Sequence, residues 1–84
     1  MQFTYKTKGV CSVSILIDIE NEIINSVKYT GGCHGNLQGI SALVAGMHID
    51  EVIEKLEGIR CGLKNTSCPA QLAEALKKYK AENL

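Results

Sequence analysis

The chain has 84 residues, 45% of them hydrophobic, with nine basic and nine acidic side chains and a formal net charge of zero. That size suits a single domain spanning residues 1–84, and the apolar content excludes an intrinsically disordered chain. Zero net charge argues against non-specific nucleic-acid or membrane binding, which needs a basic surface. With no Trp and one Phe, an aromatic platform for stacking bases is not expected.

In chain order the signals run from strands to helices, an α+β pattern. Phe3 to Thr7 alternates apolar and polar residues and predicts an edge strand. Val13, Ile15, Ile17 and Ile19 recur with period 2 and predict a second strand with one buried face. Asn21-Glu22 reads as a hairpin turn. A third strand carries Ile23, Ile24, Val27 and Tyr29 and stops at Gly31-Gly32. A three-stranded antiparallel meander is the simplest arrangement.

The period then changes. Leu37, Ile40, Val44 and Met47, with Leu43 beside them, predict a helix capped by Asn36 and ended by Gly46. Ile49, Val52, Ile53 and Leu56 predict a shorter helix capped by Asp50 and stopped by Gly58. A last helix is expected to begin near Ser67-Cys68-Pro69, since proline suits the first helical turn. Its apolar stripe is Leu72, Ala73, Leu76 and Tyr79, and Lys77-Lys78-Tyr79-Lys80 is expected to be a solvated helix end. The helices are expected to cover one face of the sheet.

Four cysteines are the informative excess. The first six residues lack an apolar leader segment, and Val13 to Ile19 is far short of the roughly 20 residues that span a bilayer. A cytoplasmic protein with reduced thiols is the expectation. Reduced cysteines in a small domain point to metal binding or thiol chemistry. There is no CxxC pair, phosphate-binding loop, GxGxxG or HExxH. Cys11 is expected before the second strand, Cys33 in the Gly-Gly loop, Cys61 after the short helix and Cys68 at the start of the last one. Ends of elements are where segments distant in sequence converge. Cys33 and Cys68 are expected at helix N-termini, whose free N–H groups favour an anion. His34 beside Cys33 is a candidate ligand or base, whereas His48 reads as a surface residue.

Gly32-Cys33-His34-Gly35-Asn36-Leu37 with Gly39-Ile40, and Thr66-Ser67-Cys68-Pro69-Ala70-Gln71-Leu72, resemble the TSCPD domain family over nearly the whole chain. Ala70 stands where that motif has Asp. The resemblance implies a small stand-alone relative of the domain found at the C-terminus of some ribonucleotide reductases. It makes a ribonucleotide reductase an implied partner and an accessory role in nucleotide reduction one reading.

More distantly, the order of features is similar to the NifU/IscU-type iron–sulfur scaffolds. Cys11, Cys33 and Cys68 fall in the places of the scaffolds' three cysteines. Val13 and Ser67 stand where the scaffolds have Asp and His, and their Leu-Pro-Pro-Val-Lys stretch is missing. This likeness implies a NifU/IscU-like α+β fold. It also implies a zinc or iron–sulfur site of Cys11, Cys33 and Cys68, with Cys61 or His34 as fourth ligand. A thiol or persulfide carrier with a sulfur-transfer partner is the other alternative. No catalytic carboxylate pair is found, so an enzyme acting on its own is not expected, and a homodimer is an open expectation.

Overall fold

The computed structural model describes residues 1–84. Three strands, β1 (Gln2–Lys6), β2 (Ser12–Glu20) and β3 (Ile23–Gly31), are followed by three helices, α1 (His34–Val44), α2 (Ile49–Leu56) and α3 (Cys68–Asn83). The strands form one antiparallel sheet in the order β1-β2-β3. The expected meander and α+β class are both present.

Alternation in β2 sets the core. Ile15, Ile17 and Ile19 point to one face and are fully buried there with Ile24, Ile49, Val52, Leu72 and Leu76. Burial of each such side chain contributes about 1.5–3 kcal/mol, so this layer dominates stability. Phase is lost at Val13. A register irregularity between Ser12 and Ser14 turns Val13 outward, 55% exposed, and buries Ser12 instead. A bulge of this kind inserts one residue and reverses which face the next side chain meets. A second irregularity, opposite Asp18 and Ile19, lets both Ile24 and Val27 face the core although they are three apart.

Asn21 and Glu22 close the β2–β3 hairpin with φ of 52° and 64°. Two consecutive left-handed residues give the turn whose twist matches paired strands. Past α1, the backbone folds back on the hairpin. Ile24 N–H donates to the Met47 carbonyl at 2.9 Å, and Ile49 N–H to the Glu22 carbonyl at 2.9 Å. The segment 45–48 is therefore tied to β3 and its turn.

Helix starts differ from the expected ones. α1 is capped by Cys33, not Asn36, because Gly31 and Gly32, at φ of 77° and 79°, swing the chain into the helix three residues early. Met47 lies beyond that helix, which ends at Val44 before Gly46 at φ 88°. Leu43, expected on the buried stripe, is 78% exposed. α2 is capped by His48, whose Nδ1 accepts from the Asp50 N–H at 3.1 Å. Asp50 sits in the first turn instead. There it pairs with Lys80 across the α2–α3 contact, and this bond holds its carboxyl below the usual range.

α3 begins where Ser67-Cys68-Pro69 predicts. The Ser67 hydroxyl accepts from the Ala70 N–H at 3.1 Å and donates to the Ile59 carbonyl at 2.7 Å. Proline fits the first turn, where its missing N–H costs nothing. The helix crosses one face of the sheet. At its start the Tyr29 hydroxyl of β3 donates to the Cys68 carbonyl, and near its end Tyr79 stacks on Phe3 of β1 at 5.5 Å. No helix is long and apolar enough to cross a membrane.

Candidate thiol groove

Four separate segments each bring one cysteine to the same place. Cys11 lies in the β1–β2 connection, Cys33 caps α1, Cys61 follows α2 and Cys68 opens α3. All four line one groove of about 550 Å³, walled by Leu37, Ile40 and Leu43 of α1 and by Pro69. Cys11, Cys33 and Cys61 are exposed and Cys68 is partly covered, all as free thiols. No three His, Cys, Asp or Glu side chains stand close enough together to hold a metal ion. The thiols surround the groove without converging at one point.

Cys68 is the most firmly held of the four. Its Sγ lies 3.2 Å from the hydroxyl of Ser12, which is 4% exposed. The register change in β2 is what turns that serine inward. Its backbone is fixed in turn by the Thr7 hydroxyl, which donates to the Ser12 carbonyl at 2.5 Å. Gly32 packs against the same residue. A Cβ there would stand 3.1 Å from the Ser12 nitrogen and 2.9 Å from Leu37 Cδ1. Only glycine permits this approach, and its positive φ is also one that glycine adopts freely.

Burial, and secondarily the neighbouring Cys68, raises the Tyr29 hydroxyl well above the ordinary phenol range. The neutral phenol is the form that donates to the Cys68 carbonyl at 2.9 Å. A raised folded-state value stabilises the fold fully below the unfolded value of about 10 and loses that contribution as pH climbs above it. Tyr29→Phe is therefore expected to cost about 1 kcal/mol at pH 8. It is also expected to flatten the stability loss above about pH 10. Urea midpoints of both proteins at the two pH values check this, and parallel pH profiles would contradict it.

His34 is not in the groove. It lines a separate depression between β3 and α1, with Tyr29 and Gln38, and pairs with Gln38 one turn along its own helix. Ser12 and Tyr29 are site residues that the sequence does not single out. Nothing local distinguishes a serine at a strand start from any other, because its role arises from a contact 56 residues away.

A family model for the TSCPD domain matches residues 3–80. The chain belongs to the TSCPD domain family. No curated protein and no solved structure matches it, so the likeness to NifU/IscU scaffolds rests on the sequence order alone. Within this TSCPD domain the motif Thr66-Ser67-Cys68-Pro69 has a local logic. Ser67 caps α3 and ties it to the preceding loop, Pro69 stiffens the first turn, and Cys68 is left at the groove.

Proposed function

We propose that the groove is a soft-metal site of this TSCPD domain, taking zinc or an iron–sulfur cluster. The observation that supports it is the meeting of four thiols, from four separate segments, on one groove. Thiolate donors suit these metals, whereas carboxylates and carbonyls suit harder ions. Cys11, Cys33 and Cys68 form the core of the set. Cys61 completes it in preference to His34, which lines a different depression. Three of the donors sit on exposed connections, so binding draws those segments in and couples metal uptake to their order. Cobalt titration of the reduced chain tests the reading. Saturation at one ion per chain with thiolate-to-metal absorption supports it. No uptake, with every thiol alkylated freely, rejects it in favour of a thiol or persulfide carrier.

A second reading is an accessory module that docks on a larger enzyme of nucleotide reduction. It rests on the groove's outer wall, where Leu43 is exposed and Gly35 and Gly39 have open space beside them. Apolar surface next to small residues suits close approach of a partner. Leu43→Glu would separate the two readings, abolishing docking to a reductase subunit while leaving metal uptake intact.

A further inference from the structure

Gln71 occupies an unusual place for a long polar side chain. It lies one turn into α3, is only 7% exposed, and both ends of its carboxamide are bonded. Oε1 accepts from the backbone N–H of Lys8 at 3.0 Å, and Nε2 donates to the Thr66 hydroxyl at 3.0 Å. Each partner belongs to a cysteine-bearing segment. Lys8 stands in the connection that carries Cys11. Thr66 closes the loop that carries Cys61, its carbonyl accepting from the Cys61 N–H at 3.1 Å. The two segments touch beneath the clasp, where a Cβ on Gly9 would stand 3.6 Å from Thr66 Cγ2. Gln71 is itself three residues from Cys68.

We infer that Gln71 is the positioning residue of the groove. It holds the Cys11 and Cys61 segments against the start of α3, so that their thiols face Cys68. The inference rests on the reading of the groove as the functional site. Cys33 is placed independently, by Gly32 packed on Ser12. Leucine at position 71 fills similar space but offers neither bond. Glutamate keeps both, because its carboxylate accepts from the Lys8 N–H and from the Thr66 hydroxyl acting as donor. Valine at position 66 keeps the methyl group beside Gly9 and removes only the Thr66 arm.

The test is dithiol bridging of the metal-free, reduced chain with dibromobimane, mapped by peptide mass. In the wild type, bridged products joining Cys68 to Cys11 and to Cys61 are expected, with Cys33–Cys68 as internal reference. In Gln71→Leu the first two are expected to fall roughly fivefold relative to the reference, as loss of a hydrogen bond of ordinary strength implies. Gln71→Glu restores them. Thr66→Val lowers the Cys61 product alone, which keeps the test decisive if Gln71→Leu does not fold. Unchanged product ratios in Gln71→Leu or Thr66→Val, or absence of the Cys11 and Cys61 products in the wild type, would overturn the inference. The measurement uses no metal. Gln71-dependent bridging in a chain that takes up no metal would therefore reject the metal reading and leave the positioning role standing.

Discussion

Gly32→Ala is expected to destabilise the domain by about 3 kcal/mol, combining a left-handed backbone penalty of roughly 1–2 kcal/mol with overpacking of similar size. The new methyl would meet the Ser12 nitrogen at 3.1 Å, and backbone cannot rotate away as a side chain can. For a chain of this length total stability is on the order of 4–12 kcal/mol, so the change is a large fraction of it. The damage reaches the site, because the displaced residue is the one bonded to Cys68. Gly35 and Gly39 supply the contrast. Both lie within α1, where an added methyl would meet nothing within 4 Å, and alanine at either is expected to stabilise by up to about 1 kcal/mol. Urea unfolding of the three variants checks the pattern. A Gly32→Ala protein as stable as the wild type would show that the close approach to Ser12 is not required.

Cys68→Ser is expected to abolish metal retention while leaving the fold intact. Serine is nearly isosteric and can keep a hydrogen bond to Ser12, so α3 should still start at the same residue. What it removes is the thiolate, and with it the one sulfur that the fold holds firmly between Ser12 and the first turn of α3. Cys33→Ser is expected to behave similarly. Cys61→Ser should weaken binding, and His34→Ala should leave it unchanged, since His34 faces the other side of α1 toward Gln38. Metal content after gel filtration, with circular dichroism on the same samples, reads both consequences. Full metal in Cys68→Ser, or loss in His34→Ala, would contradict the ligand set.

The parts of the fold that the sequence made legible are those governed by local rules. Ile15, Ile17 and Ile19 announce a half-buried strand, Asn21-Glu22 a two-residue hairpin, and Ser67-Pro69 a helix start. The same rules place the four cysteines at the ends of elements, where the structure has them. What escaped depends on tertiary contacts. Val13 belongs to the period-2 pattern, yet the irregularity beside it exchanges it for Ser12, and no propensity marks that exchange. Asn36 and Asp50 are good capping residues, but backbone turns at Gly31-Gly32 and at Gly46 start the helices earlier, at Cys33 and His48. His34 is adjacent to Cys33 in sequence, but their side chains line different hollows, because Cys33 caps the helix in extended backbone while His34 is the first residue inside it. Gln71 is not marked by any local rule, since its bond to Lys8 joins residues 63 apart in the chain.

Whether the cysteine groove holds metal decides between the proposed roles. The most direct measurement is elemental analysis of the protein purified anaerobically without added metal, with an absorbance spectrum of the same sample. About one zinc per chain, or iron and sulfide with the visible absorption of a cluster, is the expected result. A folded, metal-free chain with four titratable free thiols would contradict it.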